Sequence, residues 1–524
     1  MMATIFKRTP EQLSERRIDP WHYQPRFERQ INKIKDNLGA LPLEAVIDSK
    51  RGVASGATPL GANYLEKGRV KFYRTSEVEE MFLQAEEAVF INDEDDEKLK
   101  RSRLVDGDVL LTITGAKFGK SAVVSAKHLP ANISQHSVRF KPDPKKVDAY
   151  FLVAYLNSKT GQVAIWKEAY GATRPAIDFP SVRSLAVPKV LPLAQKYIGD
   201  KVRQAEQLRV WAKRLNSVLQ SQIHSVFKGD PKPEKRIGKV ISIQQLSSLR
   251  LEAEYYGDLE LWAELEIKNS PFPNKPLGEL SSRIKDGPGG WAVSTSDYRP
   301  SGIPVIRSVN LIDGRCELED CVFISKEKHN DLRSHQVKPG GLLLSVRGTI
   351  GRAAVFDSEK YSTASLNAAV VTIDCKPTIN PYYLAAFLNS EVGRIQSNRI
   401  ANGAVQLNMN LKETASNLIV IPPINLQETI AATFLSKNRA IILANLLIQS
   451  AKTLVEALIE GQLTEQQLIQ AQQALEDGDN SLDQAILSKL SAEGYAIEGA
   501  TPLFGDVDEL YSLLEEAGQA EAEE

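Results

Sequence analysis

Leu156-Asn157-Ser158 recurs 232 positions later as Leu388-Asn389-Ser390, and Gly161 and Gly171 recur at the same offset as Gly393 and Gly403. Gly119-Lys120 returns as Gly351-Arg352, Tyr150 as Tyr382, and Gln195 and Ile198 as Gln427 and Ile430. Upstream the offset is 233: Arg17-Ile18-Asp19 becomes Arg250-Leu251-Glu252, Phe72-Tyr73-Arg74-Thr75 becomes Val305-Ile306-Arg307-Ser308, and Gly107 and Gly115 become Gly340 and Gly348. A near-constant offset with one single-residue slip means one fold used twice. A small ligand rarely needs two divergent copies of a fold. A pseudo-symmetric partner such as duplex DNA does.

Each half reads as mixed strand and helix, an α+β (mixed α/β) class. Asp108–Thr114 and Leu342–Val346 are rich in branched apolar residues and predict strands. Each runs into a glycine pair that turns the chain, and Ala122–Val124 and Ala353–Phe356 predict the return strands. Asp148–Asn157 and Pro381–Asn389 predict short helices. Each half closes with a long helix: 193–227 contains no Pro, and 425–463 contains no Pro and no Gly before Gly461. In both, apolar positions step by four and three, the seam of a coiled coil. Ile198, Leu208 and Leu215 carry the first seam, and Ile430, Phe434, Ile441 and Ile448 the second; packing of the two seams on each other is expected.

The domain reading is 1–190, a first repeat; 191–228, a first long helix; 229–247, a linker; 248–422, a second repeat; 423–463, a second long helix; and 464–524, an acidic tail with one amphipathic helix over Leu503–Leu514. The 524 residues carry 42% hydrophobic and 25% charged side chains, the composition of a globular protein with several cores. No run approaches the ~18 apolar residues of a membrane span, no signal pattern opens the chain, and three cysteines make no disulfide framework. A cytoplasmic protein without a membrane partner is expected. The net charge of −2 hides an asymmetry: residues 464–524 hold 15 acidic residues and one basic, Lys489, leaving 63 basic against 51 acidic residues in 1–463, a net of +12. A basic body suits a polyanion.

Motifs for catalysis are near misses. Gly115-Ala-Lys-Phe-Gly119-Lys120-Ser121 is one residue short of a phosphate-binding loop, and its twin from Gly348 to Ala353 lacks the magnesium-binding hydroxyl. The better reading is a tight turn presenting Lys117 and Lys120, or Arg347 and Arg352, to a phosphate or base edge. Asn380-Pro381-Tyr382-Tyr383 resembles a DNA amino-methyltransferase motif without its second proline, and no glycine-rich cofactor loop precedes it. Histidines and cysteines show no metal spacing. No catalytic residue and no metal ligand is assigned. The candidate base readers sit in two glycine-flanked polar loops: Thr173 and Arg174 after Gly171, and Gln406, Asn408 and Asn410 after Gly403. Arginine takes guanine bidentately, and glutamine or asparagine takes adenine. Arg74 and Arg307 occur in both copies and suit phosphate or structure.

The repeat, the glycine-turn strands, the Leu-Asn-Ser helices and the proline-then-Gln-x-x-Ile openings of the long helices (Gln195 to Ile198, Gln427 to Ile430) together resemble the specificity subunit of type I restriction-modification systems, a phage-defence family. The resemblance covers roughly residues 15–463. It implies two target-recognition domains separated by two antiparallel coiled-coil helices in a pseudo-twofold arrangement, each domain reading half of a split double-stranded DNA target. It implies that the helices act as a ruler of about 50 Å and carry two methyltransferase subunits, which hold S-adenosylmethionine, and that a motor-nuclease subunit with ATP and Mg joins them. This chain would then be a non-catalytic address and scaffold without a cofactor of its own. Two alternatives stay open: a stand-alone DNA-binding adaptor of another phage-defence complex, and an enzyme, methyltransferase or NTPase, built on the near-miss motifs.

Overall fold

The computed structural model describes residues 5–522 except 15, 60, 62–63, 172, 235–245, 247–249, 290–291, 319–320, 359–360 and 404–405. Ala172, Ala404 and Val405 of the polar loops, and most of the expected linker, therefore lie outside the described residues. The chain divides into two compact units, residues 1–209 with 442–524 and residues 210–441. The long helices run Pro192–His224 and Ile424–Ile459, so each gives one stretch to each unit.

In the first unit, strands Ala54–Ser55, Ser137–Phe140, Val109–Thr112 and Ser121–Val123 form one antiparallel sheet in that order. A second sheet holds Val89–Ile91, Val70–Tyr73 and Ala131–Ile133, the last two parallel. The second unit has the same order: Ser281–Asp286, Val370–Cys375, Leu342–Ser345 and Ala353–Val355 in one sheet. Val322–Ile324, Ile303–Ile306 and Ala364–Leu366 lie in the other, again with the last two parallel, and Gln336–Val337 is added at the edge. Val109–Thr112 and Leu342–Ser345 are buried along their whole length, which is why they read as continuous apolar runs rather than alternating ones.

The repeated Leu-Asn-Ser triplets build the corner of each unit. Asn157 closes the helix Ala149–Asn157, and its side-chain amide pairs with the backbone of the edge strand: Nδ2 donates to Ser121 O at 2.8 Å and Oδ1 accepts from Ser121 N at 3.2 Å. Asn389, closing the helix Pro381–Asn389, makes the same pair with Ala353 O at 2.6 Å and Ala353 N at 3.2 Å. One amide thus acts as an extra strand residue and satisfies a buried sheet edge. Ser158 and Ser390 then cap the next helices, Lys159–Glu168 and Glu391–Ile400, by accepting from Gly161 N and Gly393 N. A Cβ on Gly161 would lie 1.9 Å from Tyr155 O, and one on Gly393 2.2 Å from Phe387 O, so the tight corner between the paired helices excludes any side chain there.

The Gln-x-x-Ile openings have an equally local cause. Gln195 Oε1 accepts from Asp148 N at 2.7 Å and its Nε2 donates to Val190 O at 2.7 Å; Gln427 does the same to Asn380 N and Pro422 O at 3.0 and 2.9 Å. Asp148 and Asn380 are themselves the N-caps of the short helices. Each buried glutamine therefore locks the start of a long helix to the start of a short one.

Of the expected seam residues, Ile198, Leu208, Ile430, Phe434 and Ile448 are buried, while Leu215 and Ile441 are half-buried. Ile430 and Phe434 pack in a domain core. They join the core of the second unit, which also takes in Leu219, Ile223, Val226 and Phe227 from the end of the first helix and Tyr383, Phe387 and Ile419 from the repeat. Helix Ile424–Ile459 is long and apolar enough to cross a membrane by length and composition, but most of that stretch is buried within the protein.

Residues 464–522 hold more structure than the one helix expected over Leu503–Leu514. Helices Glu465–Glu476 and Ser481–Leu487, a two-strand pair Leu490–Ser491 with Gly494–Tyr495, and helix Val507–Ala522 belong to the first unit. Their anchor is Asp483, fully buried, which accepts from Lys201 Nζ at 2.7 Å and from the Tyr511 hydroxyl at 2.5 Å, and also from the Tyr197 hydroxyl. Burial alone would raise the Asp483 carboxyl, but Lys201 and the two phenols hold it below the usual carboxylate range. The sequence missed this because the acidic count drew attention to charge, whereas Leu468, Ala471, Leu487, Leu490 and Leu513 supply an apolar face.

Removing Asp483 strands a buried ammonium. Asp483→Ala should cost about 3–5 kcal/mol, lower the midpoint of chemical denaturation, and expose residues 464–522 to limited proteolysis. Because the Asp483 carboxyl is depressed, its contribution is present above the ordinary carboxylate pKa and lost as pH falls through the folded value. An unchanged midpoint in the variant would contradict the anchor.

Candidate nucleic-acid interface

The structure brings together the two motifs that the sequence offers separately. In the first unit the polar loop closes on itself through Tyr170 and Ala176, whose backbones exchange hydrogen bonds at 2.9 Å. Ala176 bridges to Thr114 at the head of the glycine turn, and Ile177 N donates to Ile113 O at 3.1 Å. In the second unit Asn402 and Asn408 close the loop at 2.6 and 2.7 Å, Asn408 bridges to Arg347, and Met409 N donates to Val346 O at 2.9 Å. Turn and loop form one surface in each unit. Gly171 and Gly403 open the loops at φ of 92° and 118°, where a Cβ would strike Arg174 O or Gln406 O at 2.4 or 2.3 Å. Only glycine permits that backbone. Arg174 and Gln406 consequently occupy the same place in two equivalent loops, both exposed. Thr173 is exposed beside Arg174.

The other candidates divide. Arg347 is exposed, and its Nε donates to Asn408 Oδ1 at 3.0 Å. Asn410 is the N-cap of the helix Leu411–Ser416, accepting from Glu413 N at 2.9 Å, so its oxygen is engaged in the fold. Lys117 and Lys120 both pair with Glu79, Lys120 at 2.6 Å. Burial would raise the Glu79 carboxyl, but the hydrogen bonds from these lysines hold it low. Arg352 donates to Leu311 O at 3.4 Å and stands near Arg394, whose guanidinium is pushed down by burial and by Arg352. The first turn thus sets two lysines on Glu79, and the second sets Arg352 and Arg394 near Asp313, with Arg347 on Asn408. Arg74 pairs with buried Glu77 at 2.7 Å and lies over the Tyr64 ring. Arg307 occupies the equivalent cap, its backbone N donating to Asn310 Oδ1 at 3.0 Å.

The near-miss motifs are accounted for by packing. Ser121 is fully buried with its hydroxyl on Asn157 Nδ2 at 2.9 Å. Asn380 is a helix cap, Tyr383 OH donates to Val420 O at 2.8 Å, and Tyr382 OH donates to Asp357 at 2.9 Å. Among the described residues, no group of three or more His, Cys, Asp or Glu converges in a way that would hold a metal ion.

Two residues that hold the loops escape sequence reasoning, although the repeat displays them. Arg17 donates to Glu168 O at 2.6 Å and Ala169 O at 3.0 Å, the carbonyls that end the helix before the first polar loop. Arg250 donates to Ile400 O, Arg399 O and Ala401 O at 2.7, 3.1 and 2.9 Å before the second. Asp19 and Glu252 hold the guanidinium Nε atoms at 2.8 and 3.2 Å. The Tyr23 hydroxyl donates to Arg17 O, and the Tyr256 hydroxyl donates to Arg250 O at 2.6 Å. A rigid fork suits this double carbonyl clamp and a lysine does not. The signal was the recurrence of Arg-x-acid at a fixed distance ahead of the loop.

No protein-family model matches the chain. Over 199 residues, 36% of this chain, it is 24% identical to the type I restriction enzyme EcoBI specificity subunit of Escherichia coli, and the match spans 40% of that relative's length. Among solved structures it is similar to the S subunit of a type I restriction-modification system from M. genitalium, with a TM-score of 0.44 and 12% identity over 82% of this chain and 96% of that one. It is also similar to the HsdS subunit from Thermoanaerobacter tengcongensis, with a TM-score of 0.27 and 15% identity over 82% and 97% of the two chains. The likeness is to type I specificity subunits.

One outcome tests the site's construction, and a second tests the burial of a charge on the long helix behind it. Arg17→Lys should loosen loop 170–176 alone, and Arg250→Lys loop 402–408 alone, each seen as faster amide hydrogen exchange in its own loop; equal change in both loops would refute the clamps. Burial, reinforced by Arg315, lowers the buried Lys437 ammonium to about 8, against a favourable Asp313. Between that value and the ordinary lysine range the unfolded chain binds more protons, so stability rises with pH there. Lys437→Met should flatten that rise in urea melts, and an unaltered slope would count against it.

Proposed function

We propose that this chain reads a bipartite double-stranded DNA sequence as the specificity subunit of a type I restriction-modification complex. The observation that carries the reading is the pair of equivalent loops. One scaffold, built twice with the same corner, the same glutamine lock and the same arginine clamp, presents Arg174 in one copy and Gln406 in the other. A scaffold held constant while its exposed tip changes suits two base sequences read in one geometry. Arg174 takes guanine and Gln406 adenine, while Arg347, Arg352 and the lysines of the first turn hold phosphate. The +12 body supplies the sequence-independent attraction.

In this reading the chain supplies address and scaffold, and catalysis belongs to partners. Methyltransferase subunits bring S-adenosylmethionine and flip the target adenine, and a motor-nuclease subunit brings ATP and Mg. The burial of Ser121 and the capping role of Asn380 support a non-catalytic role for this chain, since both near-miss motifs are engaged in packing. The long helices set the distance between the half-sites.

Arg174→Ala should lose about 1–3 kcal/mol of discrimination at one half-site only, and Gln406→Ala a similar amount at the other, measured by competition binding with duplexes mutated base by base. Affinity for the cognate duplex should fall steeply and linearly on a log–log plot against salt. Equal loss at both half-sites from either variant, or none, would refute the assignment.

A further inference from the structure

The helices Lys159–Glu168 and Glu391–Ile400 each set one side chain against the glycine turn, and the two copies differ there. In the first unit it is Gln162, whose Nε2 donates to Gly119 O at 2.9 Å and Leu156 O at 2.7 Å. In the second, 232 residues on, it is Arg394. Both stand over the turn in the same way: a Cβ on Gly119 would lie 2.8 Å from Gln162 Oε1, and one on Gly351 3.6 Å from Arg394 Cδ. Gln162 finds its acceptors inside its own unit, which shows that the corner needs no cation. Arg394 does not: among the described residues no acceptor lies within hydrogen-bond distance of its guanidinium.

Other cations surround it. Arg352 is half-buried close by, and its Nη1 reaches Leu311 O at 3.4 Å. Asp313 attracts Arg394, but it also attracts Lys437, whose Nζ donates to the Asp313 carbonyl at 3.2 Å. Arg315 is already paired with Glu317 at 2.8 Å. Arg352, Arg394 and Lys437 therefore share one carboxylate. Two neighbouring guanidiniums with donors to spare suit an acceptor that carries several anionic oxygens on one centre, and a phosphate is such an acceptor.

We propose that Arg352 and Arg394 clamp one backbone phosphate of the duplex at the second half-site, and that the first half-site has no such clamp. The proposal rests on the proposed function and deepens it. The clamp fixes where the strand passes the second turn, so the neutral Gln406 of the adjoining loop reads its base from a held backbone. At the first half-site Gln162 ties the turn to its own helix, and Arg174 at the loop tip brings the cation.

The test is titration of the full chain with its cognate duplex over a range of salt, for the wild type, Arg394→Gln and Arg394→Lys. Arg394→Gln installs the residue of the first copy, and an unchanged melting temperature checks that the fold accepts it. Its plot of log affinity against log salt should be shallower by about one in slope, and its affinity roughly five- to tenfold weaker at about 0.1 M salt. Base preference should stay unchanged at both half-sites. Arg394→Lys keeps the charge and should keep the slope. Duplexes carrying single neutral methylphosphonate linkages then locate the contact: one linkage, in one half-site only, should weaken the wild type and leave Arg394→Gln unaffected. An unchanged slope in Arg394→Gln, an equal loss in Arg394→Lys, or an altered base preference would overturn the clamp. So would such a linkage in both half-sites or in neither. A wild-type chain without any DNA sequence preference would instead overturn the functional reading.

Discussion

A side-chain amide that stands in for a strand residue governs the rest of each unit. Asn157 and Asn389 pair with the edge strand through both amide atoms, and that pairing fixes where the short helix ends. The serine that follows caps the next helix, the glycine three residues on lets the two helices meet, and the second helix ends at the carbonyls gripped by Arg17 or Arg250. The polar loop leaves from that point. Its position relative to the glycine turn is therefore set by a short relay of hydrogen bonds rather than by the loop's own sequence. This is the condition under which loop residues can vary while their geometry does not.

Much of this was legible in the sequence because the repeat marks positions that backbone geometry cannot release. Asn157, Gly161, Gly171, Gln195 and Arg17 all recur, and each turns out to satisfy a backbone group or to fit where no side chain can. The strands were legible because full burial writes a continuous apolar run. Less legible was anything that depends on partners distant in sequence. Glu79 lies about forty residues before the lysines it neutralises; nothing in the spacing announces it. Arg394 joins the second turn from a helix, beside Gly351. Asp483 finds Lys201 across 282 positions. Asn410 reads as a base reader, and the structure adds a helix cap made by its oxygen, since the same short polar side chain serves both purposes.

The two units also divide electrostatic labour unequally. The first turn places two lysines against one glutamate, whereas at the second burial and the nearby Arg352 depress Arg394 against a favourable Asp313. A polyanion offsets the repulsion between Arg352 and Arg394. The first loop carries its cation at the tip, as Arg174, and the second carries a neutral amide there above a cationic base. Charge and hydrogen-bonding capacity are thus exchanged between tip and turn in the two copies, which suits different bases over the same phosphate backbone.

The central claim is that two equivalent loops read two separate pieces of one duplex. Selection of bound duplexes from a randomised pool by the full chain tests it most directly. The account predicts a motif of two short specified segments separated by an unspecified gap of fixed length. A single contiguous motif, or enrichment without any motif, would contradict it.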